Sequence, residues 1–161
     1  MSLKFNIRHL EQHNLTLQGE LSPTDLNVES LDELIHFEEP LSYDLELQKL
    51  DNAVLVQGTL RLRLHCECAR CLKPFERQLS LDEWACHLPL KGEEKVEVAN
   101  DLVDLTPFIR EDIVLSLPQQ PLCEPECKGL PGASKKLGSG GLEKEDSASS
   151  AWAELNKLKL K

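Results

Sequence analysis

Two closely spaced pairs of cysteines constrain this chain more than any other feature of its sequence. Cys68 and Cys71 enclose two residues, and Cys123 and Cys127 enclose three. Both pairs interrupt apolar patterns and are therefore predicted to lie in loops. Structural zinc sites hold four soft ligands in a tetrahedron, commonly delivered as two such pairs. The 51 residues from position 72 to position 122 can bring the pairs together, so we predict that the two loops meet around zinc.

Two alternatives to zinc remain open at this stage. A C-x-x-C pair also occurs in redox proteins, but no βαβ pattern surrounds this one, and a redox role would require an exposed thiol of low pKa. The four thiols could also be unligated. Cys66 is predicted to face inward on a strand, although it could replace Cys68 as a ligand, and Cys86 is predicted to lie in the core. His65 and His87 each adjoin a cysteine but are predicted on the solvent face.

Alternation of apolar and polar residues predicts antiparallel strands in the first part of the chain. Apolar residues recur at period two in segments 15–17, 41–47, 54–66 and 75–81, the last followed by Trp84, Cys86 and Leu88, and Asp51-Asn52 supplies a turn. The second face of the 54–66 strand is polar: Thr59, Arg61, Arg63 and His65. This pattern is typical of half-buried strands in an antiparallel sheet.

Two short helices are predicted beside these strands. The capping-box pattern Ser30-Leu31-Asp32-Glu33 predicts one over Leu31–Phe37. The second is predicted to begin with Thr106 as N-cap and Pro107 as first helical residue, and to stop at Pro118. Its apolar stripe consists of Phe108, Ile109, Ile113 and Leu117.

The composition changes after Lys128. Residues 129–150 are rich in Gly, Ser, Lys and Glu, which predicts a flexible linker, and residues 151–161 form a short amphipathic segment. Within that segment, one helical face carries the tentative partner-binding residues Trp152, Leu155 and Leu158. The segment is expected either to dock back on the domain or to engage a partner. The predicted fold class is α+β: a mainly antiparallel β-sheet domain over 1–128, with two short helices, cysteine-bearing loops and a flexible tail.

Charge is distributed unevenly along the chain. The formal net charge is −10, which disfavours non-specific binding to a phosphate backbone. Residues 56–80 nevertheless carry five basic and two acidic side chains, a net charge of +3. The basic stretch, a tentative nucleic-acid-binding site, consists of Arg61, Arg63, Arg70, Lys73 and Arg77. Either an anionic partner docks there or these charges pair with acidic neighbours across the sheet.

Several functional classes are disfavoured by what the sequence contains. Its apolar runs are shorter than the roughly 18 residues of a membrane span, and the first ten residues do not resemble a signal peptide, so a cytoplasmic location is expected. Aromatic residues make up 4% of the chain, which argues against a base-stacking platform. Because no catalytic or phosphate-binding motif is recognisable, we expect neither an enzyme nor a small-molecule substrate.

Three blocks of sequence are similar to one known family. Residues 68–75, Cys-Ala-Arg-Cys-Leu-Lys-Pro-Phe, resemble its cysteine turn. Residues 104–130, which include Ile109-Arg110-Glu111-Asp112 and end in Cys127-Lys128-Gly129-Leu130, resemble its signature. Residues 151–155, Ala-Trp-Ala-Glu-Leu, resemble its short C-terminal helix. The family is the bacterial YceD family of large ribosomal RNA subunit accumulation proteins.

The resemblance implies a small bacterial protein that promotes maturation or accumulation of large-subunit (23S) ribosomal RNA. It transfers no catalytic residues, since none is established for the family. Many members carry a further C-P-x-C-G knuckle after the Lys-Gly-Leu, where this chain reads Pro131-Gly132-Ala133-Ser134. Cys68, Cys71, Cys123 and Cys127 are then the simplest complete ligand set. Some members lack the cysteines, which implies that metal is not essential to the function.

Two hypotheses from different classes follow. In the first, a non-enzymatic ribosome-biogenesis factor binds large-subunit ribosomal RNA precursor or ribosome-assembly proteins, with the basic stretch facing RNA. In the second, a zinc-stabilised adaptor binds proteins through the Trp152–Leu158 face without touching ribosomal RNA. The salt dependence of RNA binding distinguishes the two.

Overall fold

Antiparallel strands form most of the fold, as the sequence predicts. A computed structural model describes residues 2–131. In chain order its strands are β1 (Lys4–Asn6), β2 (Leu15–Leu21), β3 (Ile35–His36), β4 (Leu41–Lys49), β5 (Ala53–Glu67), β6 (Pro74–Pro89) and β7 (Leu102–Asp104). The helices are α1 (Pro23–Leu26) and α2 (Thr106–Ser116), with a 3-10 helix at Ile7–Glu11. The α+β class with two short helices is thus confirmed.

The main sheet is built around β5. One edge of β5 pairs with β6 along nearly its whole length, and the other pairs first with β4 and then with β3. β2 lies outside β4. Because side chains alternate across a strand, the apolar set of β5 faces one side of this sheet and forms the core: Val54, Val56, Leu60, Leu62, Leu64 and Cys66 are all buried. The other side carries the polar residues and faces solvent.

A β-bulge shifts the register of the long β5–β6 hairpin. Leu60 pairs with Leu81, whereas Gly58 pairs with Trp84, so two residues of β6 oppose the single residue Thr59. The bulge is visible in the sequence: the apolar positions of β6 are odd-numbered up to Leu81 and even-numbered from Trp84. The bulge keeps both halves of β6 facing the core.

Helix α2 and the small β1–β7 sheet close the core. Ile109 and Ile113 are fully buried on the inner face of α2, which agrees with the predicted stripe. Thr106 is the one buried polar residue of the described part, and its hydroxyl accepts a hydrogen bond from the Leu3 backbone N–H at 2.8 Å. This bond and the β1–β7 ladder fix the N-terminal strand beside the start of α2.

The helix predicted over Leu31–Phe37 is wrong. The Asp32 carboxylate accepts a hydrogen bond from the Leu34 N–H at 2.7 Å. This bond stabilises a turn, not the first turn of a helix. Ile35–His36 then forms β3, and Ile35 and Phe37 are both buried. Pairing with β5 and burial of alternate side chains therefore override the local helical pattern.

The first helix lies earlier in the chain, at α1. The Ser22 hydroxyl caps it by accepting from the Asp25 N–H at 3.1 Å, Pro23 occupies the first turn, and Asn27 ends it in a left-handed conformation. Serine as N-cap and proline in the first turn are common start signals, so the sequence does carry a signal for this helix.

The second helix is confirmed, but its first residue is shifted. Leu105 is the residue that precedes the helix, and Thr106 is already helical. The Asp104 carboxylate accepts the Thr106 N–H at 2.9 Å, while the Thr106 hydroxyl is engaged by Leu3. The predicted N-cap, Thr106, is therefore wrong by one residue. The Thr106 hydroxyl cannot cap the helix because it accepts the hydrogen bond from Leu3.

The predicted linker 129–150, apart from 129–131, lies outside the described residues, as does segment 151–161 with Trp152, Leu155 and Leu158. The division into a domain over 1–128, a linker and a segment remains a prediction. Among the described residues, no helix is long and apolar enough to cross a membrane.

Gly58 allows β4 to approach the bulge, and its replacement should be costly. A Cβ at this position would lie 2.0 Å from the backbone carbonyl oxygen of Asp44, so Gly58→Ala must displace β4. We expect it to lower the free energy of unfolding by more than about 2 kcal/mol. Chemical denaturation measures this value.

Gly92→Ala is the matched control. Gly92 also has a positive φ, of 100°, but a Cβ there has no atom within 4 Å. The control should cost only the backbone conformational penalty, about 1–2 kcal/mol. Equal losses for the two variants would show that the contact with β4 does not require glycine.

Candidate metal centre

The first cysteine pair lies in the tight turn that joins β5 to β6. The Cys68 N–H donates to the Lys73 carbonyl at 3.0 Å, and the Leu72 N–H donates to the Cys68 carbonyl at 2.8 Å. These two bonds close the turn and hold Cys68 and Cys71 on its inner side, where both are buried. Leu72 adopts a left-handed conformation, with φ of 60°, to complete the turn.

The second pair lies in the loop that follows α2, and hydrogen bonds attach this loop to the turn. The Ala69 N–H donates to the Pro121 carbonyl at 2.7 Å. The Arg70 guanidinium donates through Nη1 to the Cys127 carbonyl at 3.0 Å. Within the loop, the Cys127 N–H donates to the Glu124 carbonyl at 3.1 Å. The two cysteine pairs are thus held face to face by contacts that do not involve sulfur.

The four thiols converge on one point. Their Sγ atoms all lie within 4.8 Å of one another, and this is the one group of metal-ligating side chains with such spacing in residues 2–131. The Cys68–Cys127 and Cys71–Cys123 Sγ pairs are 3.7 and 3.6 Å apart. A regular tetrahedron with Zn–S bonds of about 2.3 Å has edges of about 3.8 Å, whereas a disulfide needs about 2.05 Å. The spacing fits a four-thiolate metal site.

Backbone donors favour a thiolate at this site. Burial opposes ionisation of Cys68, but the N–H groups of Cys123, Cys71 and Arg70 donate to its sulfur and lower its pKa to about 6. The adjacent Cys71 thiol, together with burial, raises the pKa of Cys123 to about 12. Four thiols this close cannot all ionise without a cation between them. The chemistry of the donor set thus matches a divalent soft metal.

Zinc fits these residues, because it accepts four thiolates in a tetrahedron. When bound, it would supply cross-linking of the two loops and not catalysis, since four protein ligands leave no position for water or substrate. The ligands would be Cys68 and Cys71 from the β5–β6 turn and Cys123 and Cys127 from the loop after α2.

The other cysteines and the neighbouring histidines lie outside this cluster. Cys66 is buried on the core face of β5, and Cys86 is half-buried against the core. His87 is exposed. His65 lies on the solvent face, where its nitrogens are 3.5–4.0 Å from carboxylate oxygens of Glu38, Glu39 and Glu76.

The basic stretch does not form one free surface. Arg61 and Arg63 share the solvent face of β5, where Arg61 contacts Asp82 at 3.7 Å and Arg63 contacts Glu39 at 3.4 Å. Arg77 pairs directly with Leu64 across the ladder, which places it on the opposite face of the sheet.

The remaining two cations of the stretch lie in the cysteine turn. Lys73 is exposed there, and Arg70 is the residue that donates to the second loop. Arg70 was predicted to bind nucleic acid, and its contact with the second loop was not predicted, because the two residues are 57 positions apart in the chain and no local pattern links them.

Together, the fold and the cluster define a small antiparallel β-protein in which four cysteines join a hairpin turn to the loop after a helix. The chain belongs to the YceD family: the family model described as "Large ribosomal RNA subunit accumulation protein YceD" matches residues 56–159. That match includes the long hairpin, α2 and all four cysteines of the cluster.

The chain is also similar to mycobacterial proteins that are themselves uncharacterized. One from Mycobacterium bovis and one from Mycobacterium tuberculosis are each 32% identical over 124 residues, covering 71% of this chain and 60% of the relative. One from Mycobacterium leprae is 27% identical over 105 residues, covering 60% and 48%. The chain thus spans about 60% of the length of the first two. No solved structure matches it.

Replacing any cysteine of the cluster should abolish stoichiometric metal binding. We expect the wild-type chain to hold one zinc ion and Cys123→Ser to hold none, because three thiolates leave the site open to water and chelators. Elemental analysis after dialysis against a mild chelator measures the zinc content. Thermal unfolding should show a lower Tm for Cys123→Ser, since the loop cross-link is lost.

Cys86→Ser is the matched control, because Cys86 is half-buried but not in the cluster. It should retain one zinc ion per chain. Retention of zinc by Cys123→Ser, or its loss from Cys86→Ser, would contradict the assignment.

Leu72→Gly should leave the cysteine turn intact and stabilise it. Leu72 has φ of 60° and a 54% exposed side chain, so leucine incurs the left-handed penalty while burying little surface. We expect a gain of about 0.5–1 kcal/mol in the free energy of unfolding of the zinc-loaded chain. Ala69→Gly is the control, because Ala69 lies in the same turn but does not have a positive φ. It should lower the free energy of unfolding. If Leu72→Gly lowered it by as much, the left-handed conformation of Leu72 would not be costly.

Proposed function

We propose that this chain is a non-enzymatic ribosome-biogenesis factor that promotes the accumulation of large-subunit (23S) ribosomal RNA. The observation that carries the proposal is the family match over residues 56–159. The family's description names accumulation of this RNA, and the matched region contains the cysteine cluster and α2. Because the chain spans only part of its relatives, the activity is a proposal for this chain.

The metal in this proposal has a structural role. A zinc ion bound by Cys68, Cys71, Cys123 and Cys127 would be coordinatively closed, so it would not activate water or a substrate. It would instead fix the loop after α2 against the β5–β6 turn. The proposed action is therefore binding, to an RNA precursor or to an assembly protein.

The contacts of the arginines favour a protein partner over direct binding to RNA phosphates. Arg61 and Arg63 are each within 4 Å of a carboxylate, and Arg70 is bonded to the Cys127 carbonyl. Exposed ion pairs contribute only about 0–1 kcal/mol, so they can exchange. However, the carboxylates of Glu38, Glu39, Glu76 and Asp82 lie on the same face and would repel a phosphate backbone. Contact of the basic stretch with RNA remains a prediction.

The alternative function is a zinc-stabilised protein-interaction adaptor that never contacts ribosomal RNA. The same arginine contacts favour it, because they reduce the positive surface available to phosphates. This alternative uses the Trp152–Leu158 face as the partner-binding site.

The level of ribosomal RNA in the source organism tests the proposed function. Deletion of the gene should lower the ratio of mature large-subunit to small-subunit ribosomal RNA, and the wild-type gene should restore it. An unchanged ratio after deletion would contradict the proposal. Restoration by Cys123→Ser would show that metal is dispensable for the function without affecting the proposal itself.

Charge reversal distinguishes the two modes of binding. If the protein contacts RNA through β5, Arg61→Glu with Arg63→Glu should weaken binding to precursor RNA, and wild-type binding should fall steeply as salt is added. The matched control is Lys91→Glu with Lys95→Glu, which makes the same charge change at two exposed lysines that follow the end of β6, outside the part of the hairpin that carries the two arginines. Because of the carboxylates beside the arginines, we expect the two double variants to behave alike. A selective loss for the arginine variant would establish direct RNA contact.

A further inference from the structure

An apolar groove with an acidic rim lies between α2 and β6. It has a volume of about 390 Å³. Its apolar lining consists of Leu81, Trp84, Ala85 and Leu115. Leu115 is 75% exposed, the most exposed of the large apolar side chains in residues 2–131. Leu115 and the apolar lining of the groove together offer a surface on which an apolar side chain would be buried.

A hydrogen bond joins the two elements that line the groove. The Trp84 indole Nε1 donates to a carboxylate oxygen of Asp112 at 2.5 Å, and this bond joins β6 to α2. Trp84 is buried at the bulge, and Asp112 lies one helical turn before Ser116, whose hydroxyl donates to the Asp112 carbonyl at 2.7 Å. The two walls of the groove are therefore joined to each other by a side-chain hydrogen bond.

The rim of the groove is negative. Glu83 and Asp112 line it, and Glu111 precedes Asp112 on α2. Burial, reinforced by the carboxylates of Asp112 and Glu111, raises the pKa of the nearby Cys86 thiol to about 11. An occupant that suits this groove must combine apolar side chains with positive charge.

Residues 151–161 of this same chain have that composition. Trp152, Leu155 and Leu158 recur at helical spacing, and Lys157, Lys159 and Lys161 add positive charge against the single acidic residue Glu154. Residues 132–150 separate this segment from the described part of the chain. About 19 residues span up to ~60 Å when extended, whereas a domain of this size has a radius of gyration of ~14 Å. The segment can therefore reach the groove.

From this complementarity we propose that residues 151–161 dock into the groove between α2 and β6, with Trp152 or Leu155 against Leu115. The lysines then face Glu83, Glu111 and Asp112. Docking covers the exposed Leu115 and removes Trp152, Leu155 and Leu158 from the surface available to a partner. Docking would therefore compete with any protein that binds either the groove or the segment. This proposal does not depend on the ribosomal function.

The experiment is an NMR comparison of the full chain with single-residue variants. The chain has two tryptophans, so Trp152→Ala assigns their two indole N–H signals. We expect Trp152→Ala to shift the backbone amides of 81–85 and 111–116 and to leave those of 68–73 unchanged. Leu115→Asp should move the Trp152 indole signal to the position of an exposed tryptophan. Leu115 is exposed, so this variant should fold.

Matched controls separate docking from general effects. Leu72→Asp places the same charge at another exposed leucine, at the cysteine turn, and should leave the Trp152 signal unchanged. Reversal of Lys157, Lys159 and Lys161 to Glu should reduce the docked-to-undocked ratio about tenfold, as three exposed ion pairs are lost.

Two results would overturn the proposal. The first is that Trp152→Ala leaves the amides of 81–85 and 111–116 unchanged. The second is that the shifts appear only as the protein concentration rises, which would mean that the segment of a second copy occupies the groove. Shifts that are independent of concentration support docking within one chain.

Discussion

The convergence of four thiols is the constraint on which the arrangement of this protein depends. It joins the turn between β5 and β6 to the loop after α2, which are separated by about 50 residues of sequence. Closing a loop of that length restricts the unfolded chain, so a metal cross-link there stabilises the fold beyond what its core supplies. The surrounding hydrogen bonds, from Ala69 to Pro121 and from Arg70 to Cys127, already hold the two loops in register. The protein therefore provides the geometry, and a metal would add the bond.

Local patterns predicted much of this structure because burial on one face of a sheet produces a periodic pattern along each strand. Alternation of apolar residues predicted β2, β4, β5 and β6 but not the short strands β1, β3 and β7, and the cysteine spacing identified four residues that the fold brings together. The change of parity between Leu81 and Trp84 also records the bulge in the sequence itself. Patterns of this kind are informative because successive side chains of a strand point to opposite faces, so the spacing of apolar residues shows which face is buried.

Predictions from the sequence were wrong where a tertiary contact engages the residues that carry a local helix signal. Asp32 closes a turn and Ile35 pairs with β5, so the capping pattern at residues 30–33 does not start a helix. The Thr106 hydroxyl binds Leu3 and does not cap α2. The five cations of the basic stretch look continuous in sequence, yet the strand alternation and the cysteine turn distribute them over different surfaces. Patterns in one sequence cannot specify such long-range contacts, because the residues that make them are far apart in the chain.

The most direct test of the central claim is X-ray absorption spectroscopy of the full chain at the zinc edge. We expect one zinc ion with four sulfur ligands at about 2.3 Å and no nitrogen or oxygen ligand, because Cys68, Cys71, Cys123 and Cys127 form the complete set. A mixed sulfur and nitrogen or oxygen shell, or a folded chain that binds no zinc, would contradict it.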